Sequence, residues 1–266
     1  MIPIDEPLIG LYLSPFASDA QGIDAGSFNA EDFTVRKLEA GKRDHFFGDE
    51  FRNVWLPSLA SLMRRRFAAQ ALDHSVFKGK DRRILAIKEP NGSQSADVLM
   101  AALPRSRFLF LLRDGRDVVD SELAAHQKGA WLSRLFPGVV DVGLDSRVEF
   151  VTQSAQKWLW RTETVQRAYA VHPGPKLTVR YEALLEKPRD ELRKIFEWLH
   201  LPSNADELAA IVERHSFERM PDDQRGPQEF ARAASPGLWR QNLSAEEQIV
   251  LEERLAPKLR ELGYPA

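Results

Sequence analysis

At 266 residues the chain can bury a full core, as one large α/β domain or two small ones. With 29% charged and 43% hydrophobic residues it belongs among folded soluble proteins, and a formal net charge of −2 argues against a general nucleic-acid binder. Cysteine is absent and the six histidines form no His-x-x-x-His pair, so disulfides, thiolate chemistry and a zinc site are not expected.

The chain opens with Ile2, Ile4, Leu8, Ile9 and Leu11, an apolar start interrupted by Pro3 and Pro7. A short helix is expected from Pro7, with proline in its first turn. These residues carry neither the basic segment nor the long apolar core of a signal peptide, and no apolar run reaches the ~18–20 residues that span a bilayer, so a cytoplasmic protein is expected. Residues 18–50 show little periodicity and read as loop. Phe51 to Leu72 is predicted helical, with Trp55, Leu56, Leu59, Leu62, Met63 and Phe67 on an apolar stripe. Arg64, Arg65 and Arg66 on that helix read as a solvated face.

Arg83 to Lys88 is the next expected strand, and Asn91 or Ser93 can cap a helix through Val98, Leu99 and Leu103. After Arg107, Phe108 to Leu112 is an unbroken apolar run, which predicts a strand buried on both faces of a parallel sheet. It stops at Arg113-Asp114-Gly115, and a helix follows through about His126. Strand, charged glycine turn, helix is the layout of a ligand site at the carboxyl end of a parallel strand. Arginines and Ser121 around a helix start suit an anion, because backbone N–H groups and the helix dipole point there. The alternative is an ordinary corner whose Arg and Asp residues pair with each other.

Residues 129–147 form a long connection with aromatics, read either as a substrate wall or as a satellite helix. Further helices are expected at Val148–Val171, Arg189–Leu199 and Ala205–His215, with a strand at Lys176–Tyr181. Residues 218–241 read as loop and carry Arg225, Arg232, Ser235 and Arg240. Ser244-Ala245-Glu246-Glu247 has the form of a capping box opening a last helix to Leu262. No internal repeat is visible, and a single domain over 1–266 is expected. Lys88-Glu89, Arg113-Asp114 and Tyr181-Glu182 end three strands, which predicts a shared crevice.

Arg113-Asp114-Gly115-Arg116-Asp117 followed by Ser121 resembles the 3′-phosphate-binding segment of the PAPS-dependent sulfotransferases. Ile87-Lys88-Glu89-Pro90 is similar to the Lys-Asp-Pro turn of the tyrosylprotein and related bacterial members. Val179-Arg180-Tyr181-Glu182-Ala183-Leu184 is similar to their Tyr-Glu-x-Leu strand end. Ser235-Pro236-Gly237-Leu238-Trp239-Arg240 resembles the later Gly-x-Trp-basic loop, with Ala234 where its first glycine is expected and Arg232 as its leading arginine. The resemblance implies an α/β fold, a P-loop-nucleotide-hydrolase-like parallel sheet with helices on both faces. The family's Gly-rich 5′-phosphosulfate loop has no counterpart in the sequence. The resemblance therefore leads us to expect that the N-terminal strand is missing and that the chain begins about 30–40 residues late, roughly one βα unit.

Transfer of a sulfuryl group from PAPS to a hydroxyl or amine is what the resemblance implies, by positioning and charge stabilisation and without a metal. Glu6 would be the base that takes the acceptor proton, with Glu89 as the rival; Lys88 would stabilise the leaving phosphate and Ser235 would assist. Arg113 and Ser121 would bind the 3′-phosphate, with Tyr181, Arg232, Gly237 and Arg240 completing the nucleotide pocket. The acceptor class (small molecule, glycan, lipid or peptide) is left open. The competing reading is a non-catalytic PAP-binding or scaffold protein lacking the donor loop. A P-loop kinase relative is disfavoured by the lack of Gly-Lys-Ser/Thr.

Overall fold

A computed structural model describes residues 2–5, 49–73, 84–89, 92–135 and 143–265. The chain divides into two compact units, Met1–Phe108 with Trp160–Lys176, and Leu109–Leu159 with Leu177–Ala266.

In the first unit, strand β1 (Ile2–Asp5) runs parallel to β2 (Leu85–Lys88), with Ile2 opposite Leu85 and Asp5 opposite Lys88. The opening residues thus form a strand that the sequence reading left unassigned, because Pro3 lacks a ladder donor and argues against one. The expected helix from Pro7 lies outside the described residues. Helix α1 (Arg52–Asp73) buries Trp55, Ala60, Met63 and Phe67 against Val98 and Ala102 of α2 (Ala96–Ala102), with Leu85 and Ile87 of β2 packed on the same cluster. The stripe is narrower than expected, since Leu62 is 64% exposed. Arg64, Arg65 and Arg66 are exposed, as expected, and Arg66 donates to Gln70 one turn on, at 3.2 Å.

Strand β3 (Phe108–Leu112) pairs with β4 (Lys176–Arg180). The expectation of burial on both faces fails here. Leu109 and Leu111 are 41% and 50% exposed, while Leu112 is buried. Among the described residues β3 has a single strand neighbour, and a continuous apolar run does not reveal how many faces are covered. Then come α3 (Gly115–Ala125), the short α4 (Trp131–Leu135), the long α5 (Arg147–Val171), α6 (Tyr181–Glu186), α7 (Pro188–Trp198) and α8 (Ala205–Arg214). A one-turn α9 (Trp239–Asn242) and α10 (Ala245–Glu261) close the chain. Tyr181 opens α6 rather than ending β4.

The core of the second unit joins Leu112, Val119 and Leu123 to Val151, Ala155 and Trp158 of α5, Trp239, Leu243, and the Leu251-Leu255-Leu259 face of α10. The capping box expected at Ser244 is present: Glu247 N–H donates to Ser244 Oγ at 3.2 Å and Ser244 N–H to Glu247 Oε2 at 2.7 Å. Glu247 is itself buried and takes the fork of Arg147 at 2.7 and 3.1 Å. Burial opposes its charge, but the Arg147 and Ser244 bonds outweigh it and hold the carboxyl below its usual range.

At the C-terminal end of α5, in the first unit, Lys176 Nζ donates to the carbonyls of Tyr169 and His172, neutralising the helix end. His172 is buried, edge-on to Phe108 at 5.0 Å, and its Nε2 has no hydrogen-bond partner. Burial pushes its pKa down, against the lift of a hydrogen bond to the Ser106 backbone. A base with a depressed folded pKa is charged more readily in the unfolded chain, so stability falls as pH drops through the unfolded value of about 6.5. The His172→Phe variant is expected to flatten the decline of Tm below that pH. An unchanged pH profile would assign the acid sensitivity elsewhere.

Candidate functional site

The strand-to-helix corner of the second unit is built by hydrogen bonds whose donors and acceptors can be assigned. Asp114 is the N-cap of α3, and its Oδ1 accepts the Arg116 N–H at 2.9 Å. Its own N–H donates to Glu182 Oε1 at 2.8 Å, and Tyr264 Oη donates to the other oxygen of Glu182 at 3.2 Å. A carboxylate of the chain thus takes one of the backbone donors at this helix start, the Arg116 N–H. Gly115 has a packing reason. A Cβ there would meet the Trp158 ring at 2.7–2.9 Å, and Trp158 Nε1 donates to the Arg113 carbonyl at 3.2 Å.

The two arginines of the motif have opposite environments. Arg116 is 1% exposed. Its guanidinium donates to Asp114 at 3.1 and 2.8 Å, to Glu252 at 2.9 Å and to the Pro265 carbonyl at 2.7 Å, and lies 4.6 Å from the Trp239 ring centroid. Burial works against its charge, but its carboxylate partners hold the pKa above the ordinary value. Arg116 is a structural tie. Arg113 is half-buried, 4.8 Å over the Tyr181 ring, and its Nε is buried with no hydrogen-bond partner. A cation at a strand end with an orphaned, inward donor fits an anion with several acceptor oxygens.

Asp114, Asp117 and Asp120 follow one another at three-residue spacing, on one side of the helix, and all three are buried. The sequence reading passed over this signal. Both oxygens of Asp117 accept the Gly237 N–H, at 3.0 and 2.8 Å. Burial raises the Asp117 carboxyl above its usual range, against the lowering by that N–H and by the charge of Arg113. Asp120 takes the fork of Arg232 and the Asn242 amide, the latter at 3.0 Å. The segment 232–242 is therefore a strap fastened to α3 at both ends and in its middle. Gly237 sits at φ +87° and Ala234 at φ +46°, a left-handed position that an L side chain occupies at a cost of about 1–2 kcal/mol.

Ser121 is half-buried on α3, one residue past Asp120. Ser235 is exposed and donates to the Ala233 carbonyl at 3.1 Å, as a turn residue before Pro236 would. Arg240 is exposed and lies 4.4 Å over Trp239. Lys88 and Glu89 lie at the end of β2 in the first unit, Lys88 opposite Asp5 in the strand register. Glu6 lies outside the described residues. The second unit thus brings together Arg113, Tyr181, Ser121, Arg232, Gly237 and Arg240 around α3 and its strap. Among the described residues no group of three His, Asp or Glu side chains is arranged to hold a metal ion, and no helix is long and apolar enough to cross a membrane.

The sulfotransferase family model matches residues 20–206, well over half the chain. That match contains Lys88, Glu89, Arg113, Ser121 and Tyr181 and ends before the strap. A search of curated protein sequences finds no match. Among solved structures, retinol dehydratase in complex with androsterone and inactive cofactor PAP aligns with a TM-score of 0.48 and 15% identity, over 98% of this chain and 80% of that one.

Arg116→Ala leaves Asp114 and Glu252 without their buried cation and is expected to lower unfolding free energy by about 3–5 kcal/mol, whereas Arg113→Ala stays within about 1 kcal/mol. Urea unfolding of both variants checks this, and equal losses would erase the distinction drawn between the two arginines. Ala234→Gly relieves the positive φ and is expected to stabilise by about 1 kcal/mol in the same assay.

Proposed function

Because the chain belongs to the sulfotransferase family, we propose that it moves a sulfuryl group from PAPS to a hydroxyl or amine of an acceptor, with the Arg113 corner holding the donor's 3′-phosphate. The observation that carries this reading is the buried, partnerless Nε of Arg113 beside an Arg116 that spends four of its five N–H donors within the protein. Arg113 itself makes no side-chain hydrogen bond among the described residues and lies 4.8 Å over the Tyr181 ring. Ser121 adds a hydroxyl from α3. Arg232, held end-on by Asp120, uses one N–H of each terminal nitrogen and keeps three more for phosphate oxygens. Gly237 and Arg240 belong to the strap that covers the nucleotide.

PAPS supplies the sulfuryl group. The acceptor oxygen or nitrogen forms a new bond to sulfur as the bond from sulfur to the 5′-phosphate oxygen breaks, and the product nucleotide is PAP. In this reading Glu6 accepts the acceptor proton, with Glu89 the rival carboxylate, and Lys88 stabilises the negative charge growing on the departing phosphate. Ser235 adds a hydroxyl from the strap. Little covalent chemistry falls to the protein, so positioning and charge account for the rate.

Calorimetric titration with PAP and a labelled-sulfate transfer assay over an acceptor panel test the division of labour. Arg113→Ala is expected to abolish measurable PAP binding, a loss of about 100-fold or more for a charged phosphate contact. Lys88→Ala is expected to keep PAP affinity while transfer falls. Equal loss of PAP affinity in both would refute the assignment. PAP binding with no transfer to any acceptor would favour a nucleotide-binding protein without catalysis.

A further inference from the structure

Asp120 does something in this fold that the phosphate-binding reading does not require. It is an acid placed immediately before Ser121, on the helix that is to receive a phosphate, where its charge alone would repel the ligand. Its side chain is 3% exposed, and that of Arg232 20%. Both its oxygens face the Arg232 fork, and Oδ2 also accepts the Asn242 amide at 3.0 Å. Arg232 opens the strap and Asn242 closes it, so one carboxylate fastens both ends. Asp117, a helical turn earlier, holds the middle through the Gly237 N–H.

Stability is a weak reason for this arrangement. A buried ion pair is commonly matched or exceeded by apolar residues of similar size, because desolvation offsets the attraction. What a bidentate carboxylate provides and an apolar contact does not is orientation. It fixes the guanidinium plane and leaves three N–H donors on its two free edges, in fixed directions. It also offsets the charge of Arg232, so that the strap lies against α3 without an anion to hold it.

Resting on the donor-site reading above, we propose that Asp120 is a positioning residue: it seats Arg232 on the turn that carries Ser121 and closes the 232–242 strap before the nucleotide arrives. The strap is thus preformed, and donor binding uses an arginine already in place. The opposite role would be a competitor, a carboxylate that a phosphate must displace from Arg232.

The test compares the full chain with Asp120→Asn, Arg232→Gln, the double variant and Arg113→Ala, by PAP titration and by amide hydrogen exchange without nucleotide. Asp120→Asn keeps the shape and the Asn242 end while weakening the fork. It is expected to weaken PAP binding about tenfold and to speed exchange across 232–242 in the nucleotide-free protein. The double variant is expected to bind PAP no worse than Arg232→Gln alone, because Asp120 acts through Arg232; a merely structural role would make the two losses multiply. Affinity that is unchanged or tighter in Asp120→Asn overturns the proposal, as does a strap that exchanges like unprotected peptide in the parent protein. Should Asp120→Asn fail to fold, Arg232→Lys keeps the charge and removes the fork. It is expected to show the same tenfold loss, and unchanged affinity there overturns the proposal equally. If Arg113→Ala binds PAP as the parent does, the donor-site reading itself fails; if Arg113→Ala loses PAP while Asp120→Asn keeps it, the positioning role alone is lost.

Discussion

Three buried carboxylates on one side of α3 set the geometry of the second unit. Asp114 takes the Arg116 guanidinium, Asp117 a backbone N–H, and Asp120 a guanidinium with an amide. Each ionised carboxylate removed from water costs several kcal/mol, so each is tolerable only with its lone pairs occupied. That requirement fixes everything the acids touch. Through Arg116 it ties α3 to Glu252 on α10 and to the carbonyl of Pro265; through Asp117 and Asp120 it ties α3 to the strap. Glu182 adds the same constraint from α6, holding the Asp114 N–H and the Tyr264 hydroxyl, whose ionisation burial and that carboxylate suppress.

The pattern of satisfaction separates residues that composition makes equivalent. Around the corner stand three acids, Asp114, Asp117 and Asp120, and three guanidiniums, Arg113, Arg116 and Arg232. Two guanidiniums are forked onto acids. The third, Arg113, has no carboxylate bonded to it among the described residues and keeps a buried donor without a partner. Of these three guanidiniums, the one without a bonded carboxylate stands at the end of a strand. That is a more specific statement than the presence of basic residues in a loop, and it accounts for why one arginine of Arg-Asp-Gly-Arg suits a ligand while the other suits the fold.

Much of the fold was legible in local pattern. The helix at 115–125, the long helix at 147–171 and the box at Ser244 carry their signals within a few residues, as periodicity or as a cap. The stacking of Arg240 on Trp239 could also be foreseen, since the two are adjacent. What stayed hidden depends on distant residues. The role of Gly115 is set by Trp158, and the burial of Arg116 by Glu252 and Pro265, both far along the chain. The one-sided burial of β3 depends on how many strands flank it, and β1 was concealed by a proline. The three acids did carry a local signal, their three-residue spacing, but acids near a helix start ordinarily answer the dipole. Their burial and partners show that Asp117 and Asp120 answer the strap and Asp114 answers Arg116.

The strap also bears on where ordering entropy falls. Fixing a backbone residue costs roughly 1–2 kcal/mol, so closing a loop the length of 232–242 around a ligand would take a large share of any binding energy. Here the loop is fastened by contacts within the protein, and that entropy is lost when the chain folds. The left-handed Ala234 and the turn at Ser235-Pro236 fit the same logic, because strain at one residue persists only where its surroundings over-determine it. A strap held by Asp117 and Asp120 rather than by the nucleotide gains nothing from ligand-driven closure. It therefore has no reason to tighten on product, which on the proposed reading suits a site whose spent donor keeps the same 3′-phosphate it arrived with.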